Sequence, residues 1–296
     1  MAIQGGAMRS IYALGAVRAM VDLGLPEQVG AVYSSSAGCV AGSVLAGQAG
    51  AERPPAVEEL VDIFLDELSG GRFIDHRRWR KVVDVDLLVS VIRSRTGISV
   101  DALKSRGLRF EVAATDARTG AAEYFDLGHC ASDAELFEVL RATMAIPLLY
   151  HRKVPIRTGA YIDGGISDPL PVLRCLAQQP TAVIAVSTVG VGVLGRPRVG
   201  REARMVQAAP GLSRPVRGLM LAANPLARSA EDLLLIGRCG NVPIHAVTPS
   251  DPDILTSRVE TRREPLMRAE QLGYADAMAS LAGISFDTGA PQGASG

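Results

Sequence analysis

The chain has 296 residues, 48% of them apolar, and its 31 basic side chains are matched by 31 acidic ones, for a formal net charge of zero. A chain this apolar can bury a core, which excludes a disordered protein, and the even charge excludes a nucleic-acid carrier. The cysteines, Cys39, Cys130, Cys175 and Cys239, show no metal-ligand spacing and read as buried free thiols of a reducing compartment.

Met1 to Gly6 has neither the basic start nor the apolar stretch of a secretory leader. Ala182 to Leu194, the most apolar run, is too short and too rich in Gly, Ser and Thr to cross a bilayer. A cytoplasmic, soluble protein is expected, with any membrane contact peripheral.

Ala2 to Gln4 is a brief apolar entry into the turn Gly5-Gly6-Ala7-Met8-Arg9-Ser10. Apolar residues at Ile11, Leu14, Val17 and Val21 predict a helix over Ile11 to Leu23, closed by Gly24 and Pro26. Val29 to Tyr33 reads as a buried strand, followed by the turn Ser34-Ser35-Ser36-Ala37-Gly38 and a small-residue helix, Val40 to Ala46. Strand, turn, helix, strand, turn, helix predicts a parallel sheet with helices on its faces. Both turns then lie at the carboxyl ends of strands, where open α/β sheets bind ligands.

Farther on, Glu52 to Pro55 is a loop, Ala56 to Leu68 a helix, and Gly70 to Arg80 irregular and basic, with the single Trp79. Val82 to Arg95 is helical, Leu108 to Thr115 and Ala122 to Leu127 are strands joined at Asp116 to Gly120, and Ala134 to Met144 is a helix stopped by Ile146-Pro147. Val154 to Ile162 reads as a hairpin leading into Asp163-Gly164-Gly165. Val172 to Ala177 is a helix and Ala182 to Ser187 a core strand. Gly190 to Pro215, rich in Gly, Pro and Arg, is expected to be a mobile loop or lid. A helix over Leu219 to Gly237 with a break at Pro225, a strand over Pro243 to Thr248 and a helix over Glu264 to Ala282 complete one domain, residues 1–284, with 285–296 as a frayed tail.

Three of these turns can carry chemistry. A serine between strand and helix, flanked by small residues and by glycine two positions on, is the sequence form of a nucleophile elbow. It pushes the Ser36 hydroxyl above the sheet edge and aims the Ala37 N–H at a developing oxyanion. Gly5-Gly6-Ala7 can cradle an anion with backbone N–H groups, or be no more than a tight helix start. Asp163 in Asp-Gly-Gly is a short carboxylate in a turn that approaches other backbone closely, or a simple hairpin turn.

In this order the three resemble the patatin-like phospholipase family. Gly5-Gly6-Ala7-Met8-Arg9-Ser10-Ile11-Tyr12 stands at its glycine-rich oxyanion motif, Ser34-Ser35-Ser36-Ala37-Gly38 at its elbow, and Asp163-Gly164-Gly165 at its Asp-Gly-Gly/Ala motif. Ala113-Ala114-Thr115-Asp116 and Met144-Ala145-Ile146-Pro147 are supporting likenesses, and the resemblance covers roughly residues 3–190. Ser34, Ala7 and Ser10 stand where the family has glycine.

The resemblance implies a three-layer α/β sandwich with a mainly parallel central sheet. It implies a serine acyl hydrolase with a Ser36–Asp163 dyad, Ser36 as nucleophile and Asp163 as general base. Gly5, Gly6, Ala7, Met8, Arg9 and Ala37 would form the oxyanion and substrate-binding loop. No cofactor or metal is implied, and the partner would be a lipid or other acyl ester. Acyl transfer by the same acyl-enzyme, or a binding protein that kept the fold, are the other readings. So is a Ser36–Asp163–His245 triad in the chain order of α/β-hydrolases. Arg77-Arg78-Arg80-Lys81 and the arginines of Gly190 to Arg217 could meet lipid head groups or form a solvated face. Leu219-Met220-Leu221 could line an acyl channel or belong to the core.

Overall fold

The computed structural model describes residues 1–48, 57–75, 77, 82–150 and 152–284. The expected tail 285–296, the loop Glu52 to Pro55, Trp79 and most of the basic patch (Arg78, Arg80 and Lys81) lie outside the described residues.

The chain opens with β1 (Ala2–Ile3), α1 (Ser10–Asp22), β2 (Ala31–Ser35) and α2 (Gly38–Gln48). Next come α3 (Val57–Asp62), which runs on as a π-helical turn over Ile63–Glu67, then α4 (Val85–Arg95) and α5 (Val100–Arg106). The middle holds β3 (Arg109–Asp116), β4 (Ala122–Asp126), α6 (Asp133–Thr143), β5 (Val154–Ile156), β6 (Gly159–Asp163), α7 (Val172–Leu176) and β7 (Val183–Val186). The last part is α8 (Gly200–Ala208), α9 (Arg214–Leu221), α10 (Pro225–Ile236), β8 (Arg238–Cys239), β9 (Val242–Val247) and α11 (Arg263–Leu281).

The result is a mixed α/β fold on a central sheet ordered β5-β6-β3-β2-β1-β7-β9-β8, with β4 also paired to β3. The middle of the sheet, from β3 through β2, β1 and β7 to β9, is parallel. The antiparallel pairs are at its margins. β1 is as short as its sequence suggests, yet it is the central strand: Ala2 pairs with both Tyr33 and Ala185. Helix α1 is apolar nearly all round because it is packed among α11, α2 and α3. Inside that interface the Tyr12 hydroxyl donates to Asp276 Oδ2 at 2.8 Å, which satisfies a phenol that burial would otherwise leave unpaired.

The site is set by one edge of β3. β2 runs parallel to β3 and pairs Ala31 to Ser35 with Arg109 to Ala113. β6 runs the opposite way and pairs Asp163 to Tyr161 with Ala114 to Asp116. β4 pairs with Glu111 to Thr115, so it holds the other edge. β2 and β6 therefore meet head to head, carboxyl end to carboxyl end, where Ala113 gives way to Ala114. Ser36, the residue after β2, is thereby brought against Asp163, the last residue of β6.

Three expectations need correction, and one helix is new. Gly190 to Pro215 is not a bare loop: it contains α8, and Leu194, Val206 and Ala209 are buried. It is pinned by Glu231, which accepts from the N–H of Gly192 and, at 3.1 Å, of Leu194. The Asn224 N–H donating to the Gly195 carbonyl at 3.1 Å is a further tie. The break near Pro225 separates two helices over Ala222 to Asn224, with Pro225 at the first position of α10 and Asn224 as its cap, accepting from the Ala227 N–H. Helix α5 was not expected, although Ser99 caps its start and Gly107, at φ +65°, ends it. Finally, Cys239 is exposed while the other cysteines are buried, because β8 is a two-residue edge strand.

Candidate active site

Ser36 Oγ donates a hydrogen bond to Asp163 Oδ2 at 2.6 Å. The other carboxylate oxygen, Oδ1, accepts the N–H of Gly165 at 2.8 Å. Both side chains are nearly enclosed, Ser36 6% and Asp163 5% exposed. Burial pushes the Asp163 carboxyl up to about 6, against the pull of the Ser36 and Gly165 hydrogen bonds and of the charges on Arg258 and Arg198. A carboxylate tuned this way is ionised at neutral pH and basic enough to take a proton.

The serine sits in a strained elbow. Its φ is +51°, in the left-handed region, a conformation that costs a non-glycine residue about 1–2 kcal/mol. A hydrogen-bond relay holds it there: the Ser36 N–H donates to Thr143 Oγ1 at 2.8 Å, and the Thr143 hydroxyl donates to the Ala113 carbonyl at 2.5 Å. Ser35 ties the same turn to the segment after Asp163, its hydroxyl donating to the Pro169 carbonyl at 2.6 Å. Asp163 is fixed by its backbone, donating to the Ala145 carbonyl at 3.0 Å and accepting from Thr115 Oγ1 at 2.7 Å.

Two glycines allow the approach. A Cβ on Gly164 would lie 1.9 Å from the Ala113 carbonyl oxygen, and one on Gly5 would lie 2.5 Å from Ser36 Cβ. The glycine turn thus rests directly on the elbow. Of the three positions where the resemblance expects glycine, only Ala7 has a positive φ, +51°. Ser34 lies within β2, and Ser10, at φ −63°, is helical.

The sequence-derived oxyanion residues separate into two groups. Among the described residues, no acceptor is bonded to the N–H groups of Gly6, Ala7 and Ala37 outside helices and strands. Ala37 also leads into α2, whose amino end carries partial positive charge. Met8 differs: its N–H donates to the Arg258 carbonyl at 3.2 Å and is taken. Arg9 turns its Nε to the Thr256 carbonyl at 2.8 Å, which ties the turn to the chain before α11. Gly5 contributes its close packing, and its carbonyl accepts from the Thr188 hydroxyl.

The triad with His245 is not formed. His245 lies in β9, opposite Ile184, three strands from β2 in the sheet order, or roughly 14 Å at ~4.8 Å per strand. Both oxygens of Asp163 have other partners.

Sequence reasoning missed Thr143 and Arg258; it had Thr115 only within a supporting likeness and Arg198 only among the arginines of Gly190 to Arg217. Thr143 did carry a signal, since it directly precedes Met144-Ala145-Ile146-Pro147. Met220 is buried and packs with Ile162 and Ile166 on either side of the Asp163 turn, with Leu219 and Leu221 partly buried against them. The segment Leu219-Met220-Leu221 is therefore core that lies next to the dyad.

Residues 1–176 match the family described as patatin-like phospholipase. Among curated proteins, an uncharacterized protein of Escherichia coli strain K12, YjjU, is 30% identical over 129 residues, which are 43% of this chain and 33% of YjjU. Among solved structures, VipD from Legionella pneumophila shares the fold with a TM-score of 0.55 at 12% identity, over 94% of this chain and 65% of VipD. The chain thus spans about a third of YjjU and just under two thirds of VipD.

Proposed function

Since the chain belongs to the patatin-like phospholipase family, we propose that it is a serine acyl hydrolase acting through a Ser36–Asp163 dyad. The family supports lipid acyl hydrolase activity in the coarse sense. The observation that carries the finer reading is the 2.6 Å hydrogen bond from Ser36 Oγ to Asp163 Oδ2. Ser36 attacks the ester carbonyl while Asp163 takes its proton. The N–H groups of Gly6, Ala7 and Ala37 stabilise the oxyanion, helped by the amino end of α2. Asp163 then protonates the departing alcohol, and water repeats the sequence on the acyl-enzyme.

A lipid ester suits the surroundings. Next to Arg198, whose charge acts on Asp163, Val199 is 76% exposed. Val191, Val193 and Met205 are exposed on the same segment. Apolar side chains on this surface fit peripheral contact with a lipid interface, and no helix among the described residues is long and apolar enough to cross a membrane.

An assay panel of short and long p-nitrophenyl acyl esters and a phospholipid tests this reading. Wild type is expected to hydrolyse at least the short esters. Ser36→Ala should lose about 10³-fold or more in kcat. Activity should survive EDTA, because nucleophile, base and oxyanion donors all come from the protein. Product analysis with added alcohol separates hydrolysis from acyl transfer. Wild type inactive on every ester, or Ser36→Ala retaining full activity, refutes the assignment.

A further inference from the structure

Helix α6 ends at the dyad. Its last residue, Thr143, is fully buried, and its hydroxyl makes two hydrogen bonds. Oγ1 accepts the Ser36 N–H at 2.8 Å and donates to the Ala113 carbonyl at 2.5 Å. A hydroxyl can do both at once, which an apolar side chain of the same size cannot. Ala113 is the last β3 residue paired with β2, and Ala114 is already paired with Asp163 of β6. The hydroxyl therefore spans the point where one strand leaves the β3 edge and the other takes it over. There is no slack there: a Cβ on Gly164 would lie 3.0 Å from Thr143 Oγ1. Two residues on from Thr143, the Ala145 carbonyl accepts the Asp163 N–H at 3.0 Å. One helix end thus holds both dyad residues by their backbones. Without the Thr143 hydroxyl, a buried N–H and a buried carbonyl lose this partner together. The left-handed φ of +51° at Ser36 loses the contact that holds it.

We propose that Thr143 is a positioning residue for the attack of Ser36, setting the 2.6 Å contact between the Ser36 hydroxyl and Asp163 from the end of α6. This deepens, and rests on, the assignment of Ser36 as nucleophile. A relaxed elbow carries Ser36 Oγ away from the carboxylate. The same contact holds the Asp163 carboxyl down, against the burial that raises it to about 6. Losing it moves the Asp163 titration upward. A general loosening of the core would instead let water reach the carboxyl and move it down.

Thr143→Val keeps the shape of the side chain and removes the hydroxyl. It should lower kcat on a short p-nitrophenyl ester by about 10²-fold, as expected for about 1 Å of misplacement in a catalytic group, with KM little changed. Its labelling by a fluorophosphonate should titrate above about 6, where wild type is expected to titrate. Thr143→Ser restores the hydroxyl and should recover most of kcat and the wild-type pH profile. Val139→Ala, at a buried site one turn earlier on α6, should lose stability yet keep kcat and the profile. Should Thr143→Val not fold, Thr143→Ala takes its place with the same expectations. Wild-type kcat in Thr143→Val, or a labelling profile at or below the wild-type one, overturns the role. So does a Thr143→Ser as impaired as Thr143→Val, or an equal loss of kcat in Val139→Ala. If wild type neither turns over an ester nor takes the label, the hydrolase reading fails separately, and a crystal structure of Thr143→Val still decides. Ser36 drawn away from Asp163, with its φ out of the left-handed region, upholds the positioning; an unmoved elbow overturns it.

Discussion

Asp163→Asn should nearly abolish ester turnover and at the same time stabilise the folded protein at pH 8. The loss follows from removing the base, and general-base catalysis contributes about 10²–10⁴-fold. The gain follows from linkage. In the folded state the Asp163 carboxyl is raised from 3.8 to about 6, chiefly by burial. Folding therefore favours its protonated form. The stability that protonation supplies is fully present below pH 4 and is lost as pH rises through about 6. Above that the buried charge costs roughly 3 kcal/mol, at about 1.4 kcal/mol per pKa unit. Asparagine has the same shape and keeps the contacts: its carbonyl can accept the Gly165 N–H while its amide donates to Ser36 Oγ. Denaturant unfolding should place Asp163→Asn about 2–3 kcal/mol above wild type at pH 8, with the difference gone near pH 4. A variant that is less stable at pH 8, or one that retains turnover, contradicts both the tuning and the role.

The second large effect is expected at Gly164, with Gly165 as its contrast. The motif Asp163-Gly164-Gly165 makes the two glycines look equivalent. A Cβ on Gly164 would lie 1.9 Å from the Ala113 carbonyl oxygen and 2.6 Å from its carbon, both backbone atoms of β3. A Cβ on Gly165 would meet only Asp163 Oδ1 at 2.9 Å and Ser36 Cβ at 3.8 Å. Gly164→Ala must push the end of β6 away from β3, at the point where β2 and β6 meet. Overpacking of this kind costs about 1–3 kcal/mol or more, and a shift of about 1 Å in a catalytic group costs about 10²-fold in rate. Gly164→Ala should thus lose at least that much activity along with stability. Gly165→Ala should fold nearly normally and lose less. Thermal unfolding and kcat/KM on one short ester, measured for both variants, check this; equal effects at the two positions would count against the head-to-head junction.

The parts of the site that local sequence encodes were legible in the sequence. The Ser36 elbow, the Gly5-Gly6 turn and the Asp163 turn each have their own small-residue grammar, and the helix and strand periods around them were clear enough to give a parallel sheet. The relations between distant segments were not legible. Nothing near Ser36 announces that β6 will take over the β3 edge from β2, or that Thr143, on α6, will accept the Ser36 N–H. Met8 and Arg9 read as oxyanion-loop residues because their partners, Arg258 and Thr256, lie far along the chain. The segment Gly190 to Pro215 looked like bare loop because Gly, Pro and Arg dominate it. Its order comes from Glu231 and Asn224, which no local pattern links to it.

The central claim is that Ser36 is a nucleophile whose proton passes to Asp163, and the pH dependence of covalent labelling tests it most directly. A fluorophosphonate should modify Ser36, as located by peptide mass spectrometry, with a rate that rises through an apparent pKa of about 6, where Asp163 titrates. The same rate should be low and flat with pH in Asp163→Asn. Labelling at another residue, or a Ser36 rate that ignores both pH and the Asp163 substitution, would contradict the account.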